Sequence, residues 1–327
     1  MPSEPQGPDE QLTTVAIRLA HSLGFRMDAS AVQDLALHLV YYAREVRFDE
    51  RIFSLKVPPG LPPPEGHSWV PPEDALRTLM LSGHKRAVAL LFPGVVPGGA
   101  QALDHMPVVH PSGTVFLCDF DGTVSDPEAS LAILKRFAPG RWERYERPWM
   151  ESEISTHDCL GYQFTMIDAT VVDMGRFAAD EVPLRKGFVE FVSWCRARGH
   201  GLVITSSGVD FYIKAILDRH GLGDVPFVAD RTHVVPGLGN IAEEGFYNPD
   251  CDWCGNCKLE LIKLYRARGA KVVYVGDGAT DECPSVRADV LFARAGLLRF
   301  AKKEEVPAVP FETFLDVIDE YEKMSGR

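Results

Sequence analysis

Residues 114–123 read Thr-Val-Phe-Leu-Cys-Asp-Phe-Asp-Gly-Thr, and few folds can use such a stretch. Its β-branched and aromatic run follows Pro111 and Gly113 and has the composition of a buried strand. Side chains alternate along a strand, so Asp119 and Asp121 leave on one side and Phe120 on the other. Two carboxylates held this close repel each other unless a cation lies between them or one keeps its proton. The run therefore predicts a strand end suited to Mg²⁺ and phosphate.

Other segments repeat the pattern of an apolar strand with a polar tip. Gly201 to Thr205 runs into Ser206-Ser207-Gly208, and Lys271 to Val275 runs into Gly276-Asp277-Gly278-Ala279-Thr280-Asp281. Lys258 heads an expected helix from Leu259 to Arg268. In open α/β sheets, residues at the carboxyl ends of parallel strands gather at one edge, and right-handed crossovers bring them there. A phosphate dianion repels a carboxylate nucleophile, so attack needs positive charge between them. Mg²⁺ and Lys258 fit that need, and the N–H groups of Gly122 and Thr123 can cradle phosphate oxygens.

The ordered set Asp-x-Asp-Gly-Thr, Ser, Lys and Gly-Asp-x-x-x-Asp resembles the haloacid dehalogenase (HAD) superfamily of phosphatases, over residues 112 to the C-terminus. The resemblance implies a three-layer α/β core with a Rossmann-like parallel sheet. It implies Asp119 as nucleophile forming an aspartyl-phosphate, and Asp121 as acid and then base. Ser206 would hold a phosphate oxygen, joined by Ser207 and Gly208, and Lys258 would neutralise charge. Mg²⁺ would bind Asp119, the backbone carbonyl of Asp121, and Asp277, with Asp281 supporting the metal shell.

Between Asp121 and Ser206 lies far more chain than a crossover needs. Helices are expected over Glu128 to Phe137, Arg141 to Ser152, Thr156 to Ile167 and Val171 to Ala179, a small cap at about 127–183. Such a cap resembles that of phosphoserine phosphatase-like members and implies exclusion of water and control of specificity. Finer likenesses diverge. Residues 130–139, 184–188, 206–212, 254–258 and 292–298 resemble the methionine-salvage phosphatases of 2-hydroxy-3-keto-5-methylthiopentenyl-1-phosphate. Gly276 to Pro284 is closer to the phosphoethanolamine and phosphocholine phosphatases. Glu128 falls where phosphoserine phosphatases place a glutamate near the substrate amine, or else complements a helix dipole. Arg185 is a candidate substrate contact, or an exposed helix start. No cap arginine around Tyr162 to Met166 offers a carboxylate clamp.

The seven cysteines are odd in number and scattered, a pattern that fits a reducing cytosol. Cys251-x-x-Cys254-x-x-Cys257 either binds Zn²⁺ with a fourth ligand such as His233, or shapes the loop that delivers Lys258. Residues 1–107 stand outside the expected phosphatase domain, 108–327. They read as a helical region, with helices over Gln11 to Leu23, Ala29 to Arg47 and Glu73 to Leu91, and a Pro-rich segment at 58–72. This region could serve the fold, dimerisation or a protein partner. No apolar run is long enough to span a membrane. The net charge of −12 disfavours nonspecific nucleic-acid binding. The expected activity is hydrolysis of a small phosphorylated metabolite in the cytoplasm. Alternatives are phosphoserine hydrolysis, phosphotransfer to an acceptor other than water, and an interaction protein with weak catalysis.

Overall fold

The computed structural model describes residues 12–23, 25, 29–57, 62–65, 68–71, 113–235, 239–243, 251, 253–254 and 256–326. The chain divides into two compact units: Met1–Val40 with Phe48–His105, and Tyr41–Arg47 with Met106–Arg327.

In the first unit, helix α1 (Leu12–Ser22) lies where it is expected. The expected helix over Ala29 to Arg47 does not form; strands β1 (Val32–Ala43) and β2 (Val46–Leu55) take its place. Val32, Leu35, Leu39, Tyr42 and Val46 have helical spacing, but Leu35, Leu37, Leu39 and Tyr41 alternate equally well. The turn decides between them. Arg44 (φ 48°) and Glu45 (φ 61°) form the left-handed pair that a two-residue hairpin requires. Arg51 Nε donates to both oxygens of Asp34 at 3.1 and 2.9 Å, and Phe25 stacks on Trp69. The helix expected over Glu73 to Leu91 and most of the Pro-rich segment lie outside the described residues.

The second unit takes in residues 41–47, the end of β1, the turn and the start of β2, and continues with β3 (Thr114–Cys118), followed by four cap helices: α2 (Ala129–Phe137), α3 (Glu143–Met150), α4 (Thr156–Thr165) and α5 (Val171–Glu181). The core resumes with α6 (Phe188–Arg198), β4 (Gly201–Val209), α7 (Asp210–Arg219), β5 (Phe227–Val235) and β6 (Gly239–Glu243). It ends with α8 (Lys258–Ala267), β7 (Lys271–Gly276), α9 (Glu282–Ser285), β8 (Val290–Ala293), α10 (Ala295–Lys303), β9 (Val309–Pro310) and α11 (Phe314–Met324).

Strands β5-β4-β3-β7-β8-β9 form the parallel sheet in that order. β6 adds antiparallel to β5, and Tyr41–Ala43 add antiparallel to β6. Alternation along β3 sends Val115 and Leu117 into one core layer with Val203, Leu261, Val272 and Leu297. Phe116 faces the other way and meets Phe191, Trp194 and Tyr321 edge-on. Both faces of the sheet are thus covered by helices, which explains why its strands read as continuous apolar runs. Among the described residues, no helix is long and apolar enough to cross a membrane.

Candidate active site

β3, β4 and β7 are neighbours, so their carboxyl ends deliver Asp119, Ser206 and Asp277 to one edge, and α8 brings Lys258. The Asp119 N–H donates to the Val275 carbonyl at 2.9 Å, which carries the pairing of β3 with β7 one residue past the strand. Lys258 is 2 % exposed, and its Nζ donates to Asp119 Oδ1 (2.6 Å), Asp281 Oδ1 (2.7 Å) and Thr280 Oγ1 (3.0 Å). A buried ammonium stays charged only with such partners. Burial opposes its charge, but Asp119 and Asp281 prevail and raise the Lys258 pKa above its ordinary value.

Asp281 is fully engaged. Its Oδ1 also accepts from Tyr274 Oη (2.6 Å), and its Oδ2 accepts the backbone N–H groups of Asp277 (2.9 Å) and Gly278 (3.0 Å). Thr123 Oγ1 donates to Asp277 Oδ1 at 2.7 Å, leaving Oδ2 facing Gly122. Gly122 has φ +80°, and a Cβ there would come within 2.5 Å of Asp277 Oδ2, so only glycine fits.

Ligand atoms of Asp119, Asp277 and Asp281 lie within 4.8 Å of one another. Burial first, then the Asp281 charge, pushes Asp119 well above the usual carboxylate range, while Lys258 opposes the rise. Burial likewise pushes Asp277 up to about 6. Three buried carboxylates with one lysine leave negative charge uncompensated, and hard oxygen donors suit Mg²⁺. The residues therefore fit the ion.

Asp121 has a different environment. Tyr212 Oη donates to its Oδ2 (2.5 Å) and the Ser130 N–H to its Oδ1 (2.9 Å), yet burial still raises its pKa. Ser206 Oγ accepts from the Gly208 N–H at 3.0 Å. Ser207 Oγ is buried with no protein partner, which leaves it available for a phosphate oxygen. Asn256 Nδ2 anchors this strand end through Thr205 Oγ1, the Ser206 carbonyl and the Val228 carbonyl.

Asp119, Asp121, Ser206, Ser207, Gly208, Asp277 and Asp281 line one cavity with the cap residues Glu128, Leu131, Leu134, Glu146, Trp149, Leu160 and Gln163. Glu128 opens α2 without capping it and lines this cavity, where burial and then Asp121 raise its pKa. One expectation fails. Arg185 is neither an exposed helix start nor a cavity wall: it is buried, and donates to the carbonyls of Thr123 (2.8 Å) and Gly122 (2.8 Å) and to Asp126 (2.9 Å). The Thr123 N–H donates to the Phe120 carbonyl at 3.3 Å. Among the described residues the converging metal-capable group is the acidic trio, not Cys251, Cys254 and Cys257.

Tyr212, Tyr274, Asn256, Glu146 and Gln163 escaped the sequence reading. A tyrosine within the valine run of β7 was the available signal for Tyr274; the others depend on tertiary contacts.

The sequence profile of the haloacid dehalogenase-like hydrolases matches residues 116–282. The chain belongs to that family. It is 34 % identical over 206 residues to the 2-hydroxy-3-keto-5-methylthiopentenyl-1-phosphate phosphatase of Brevibacillus brevis, a match over 62 % of this chain and 93 % of that protein. Identity to the enzyme of the same name from Geobacillus thermodenitrificans is 32 % over 220 residues, 64 % of this chain and 96 % of that one. A phosphoserine phosphatase solved as a phospho-aspartyl intermediate analogue shares the fold (TM-score 0.51, 21 % identity, 64 % of this chain and 99 % of that one). A HAD family hydrolase from Salmonella enterica serovar Typhi shares the fold over 94 % of this chain and 93 % of its own (TM-score 0.50, 15 % identity). This HAD-type chain is a phosphatase, in a family whose phosphatases generally use Mg²⁺.

Proposed function

We propose that Asp119 is the nucleophile, Asp121 the acid–base group, and the cap cavity the seat of a short phosphate ester with an apolar tail. The observation that carries the roles is the contrast between the two carboxylates. Asp119 meets an ammonium at 2.6 Å, while Asp121 is held by a phenol and by the Ser130 N–H. Carboxylates set apart in this way divide into nucleophile and acid.

An Asp119 oxygen attacks phosphorus as the ester P–O bond breaks, and Asp121 gives its proton to the leaving oxygen. Asp121, now a carboxylate, takes a proton from water, whose oxygen attacks the same phosphorus and frees Asp119 and phosphate. Lys258 holds Asp119 in place and offsets charge, and Ser206 and Ser207 orient phosphate oxygens. Asp119, Asp277 and the Asp121 carbonyl would hold Mg²⁺, with Asp281 fixing the loop. When bound, the ion neutralises phosphate charge.

Leu131, Leu134, Trp149 and Leu160 form an apolar wall that suits an unbranched methylthio chain. The substrate we favour is the enol phosphate named for the Brevibacillus and Geobacillus relatives. Glu128 and Glu146 favour a second reading, a cationic ester such as phosphoethanolamine or phosphocholine. Among the described residues no Lys or Arg lines the cavity, which disfavours the carboxylate of phosphoserine. The odd number and scattered placing of the seven cysteines suit a cytoplasmic setting.

The test is phosphate release from 4-(methylthio)butyl phosphate, phosphoethanolamine, phosphocholine and phosphoserine, with and without Mg²⁺, by the wild type and Asp119→Asn. Mg²⁺-dependent turnover of the methylthio ester, lost in the variant, is expected. Preference for either amine ester would select the second reading. We assign Cys251, Cys254 and Cys257 to shaping the loop before Lys258; one zinc per chain on metal analysis would overturn that.

A further inference from the structure

Helix α4 has two occupied faces. Thr156, Cys159, Leu160 and Gln163 line the cavity, while Asp158, Gly161, Tyr162 and Thr165 turn to residues 41–47. A period of 3.6 residues places these two sets on different sides of one helix. The sequence alone gives residues 41–47 no part in this chemistry.

Their contacts are specific. Tyr42 is fully buried, and its ring lies so close to the α4 backbone that a Cβ on Gly161 would meet it at 2.4 Å. Its ring packs edge-on against His157 and Tyr162, with centroids at 4.8 and 5.4 Å. Tyr42 Oη and Arg47 Nη1 donate to the same oxygen, Asp158 Oδ1, at 2.9 and 3.1 Å. The other oxygen, Oδ2, closes the capping box at the start of α4 with Ser155. One carboxylate thus joins the start of the helix to residues 41–47.

Glu45 extends the connection. Its N–H donates to Thr165 Oγ1 (3.0 Å) at the end of α4. Its carboxylate pairs with Arg144 and accepts from Tyr145 Oη (3.0 Å), both on α3. The same helix carries Glu146 and Trp149 into the cavity. Gln163 Nε2 donates to Glu146 (3.0 Å), and Trp149 Nε1 donates to Thr156 Oγ1 (3.0 Å), so α3 and α4 form one wall.

We infer that residues 41–47 are a positioning element for substrate specificity, with Tyr42, Glu45 and Arg47 holding the α3–α4 wall at the distance that a bound ester requires. This rests on reading the cavity as the substrate pocket. The aspartate cluster keeps its own partners, so the brace sets how an ester is held and not whether phosphorus is attacked.

The test uses full-length Tyr42→Phe, which removes one hydroxyl and keeps the ring, and Arg47→Met. Two substrates separate the roles: acetyl phosphate, too small to reach the α3–α4 wall, and 4-(methylthio)butyl phosphate, which extends to it. Losing hydrogen bonds to a carboxylate should raise KM for the methylthio ester about tenfold, with kcat on acetyl phosphate unchanged. Hydrogen–deuterium exchange of amides 156–165 should quicken, with 115–118 and 272–275 unchanged. Unaltered exchange over 156–165 would overturn the brace. Equal losses on both substrates, or an unchanged KM beside faster exchange, would overturn its role in specificity. A wild type that hydrolyses acetyl phosphate but not the methylthio ester refutes our choice of substrate, and exchange still decides the brace.

Discussion

At the scale of residues, Asp119 and Asp121 are separated by one position and by nearly everything in their surroundings. The division of labour predicts different outcomes for the same chemical change. Asp119→Asn removes the nucleophile and should abolish turnover of every ester. Asp121→Asn removes the proton donor, so alkyl esters should slow by about a thousandfold. Acetyl phosphate, whose leaving group needs no proton, should lose far less in its first turnover; burst kinetics on the two substrates measure the difference. Equal loss on both would give Asp121 another role. Gly122→Ala tests a neighbouring constraint. Its φ of +80° costs an alanine about 1–2 kcal/mol, and the added carbon lies 2.5 Å from Asp277 Oδ2. The expected result is weaker Mg²⁺ binding in titration calorimetry from a protein that remains folded.

At the scale of elements, the loop after β3 is held from behind. Arg185 gathers the carbonyls of Gly122 and Thr123, and Arg294 Nη1 adds a second donor to Gly122 at 2.8 Å. Arg185→Met leaves buried carbonyls without that donor and should cost about 3 kcal/mol, read from the urea midpoint. KM changes without a stability change would instead return Arg185 to substrate binding. The sequence displayed Arg185 only as a charge beside Gly187, because its partners are carbonyls about sixty positions earlier. The hairpin was hidden for a different reason. Its turn residues, Arg44 and Glu45, lack the Asn-Gly chemistry that marks left-handed pairs, and its apolar positions fit both periods. The polar strand ends that carry Asp119, Ser206 and Asp277 were legible because a buried parallel strand is apolar throughout and its polar tip stands out. The cap helices were legible too: the expected Thr156 to Ile167 and Val171 to Ala179 appear as Thr156–Thr165 and Val171–Glu181. The wall formed by Glu146 and Gln163 was not, since pairing between two helices leaves no local pattern.

At the scale of the whole molecule, the acidic cluster ties stability to pH and metal. Asp277 moves from 3.8 to about 6 on folding, and Asp119 and Asp121 also rise. At these three groups the metal-free folded state therefore binds more protons than the unfolded chain. Its stability falls as pH climbs from the unfolded carboxylate range through the raised folded values. Mg²⁺ should reverse this. At one hundred times its Kd it adds about 2.7 kcal/mol, and at low pH protons displace it. Thermal unfolding at pH 5 and pH 7.5, with and without Mg²⁺, should show the larger gain in Tm at pH 7.5. An equal gain at both would mean that the ion binds elsewhere.

The order of the strands has one more consequence, for synthesis. Asp119, the proposed nucleophile, lies far in sequence from Lys258 and Asp281, although Lys258 touches both carboxylates. At ribosomal speed the chain needs roughly ten seconds or more to extend from the first to the last. Through that interval β3 lacks β7, its partner on one side, and Asp119 and Asp121 lack their compensating charge. The nascent protein thus carries an apolar strand without its later neighbour, and residues 114–118 stay open to other chains until residue 276 emerges.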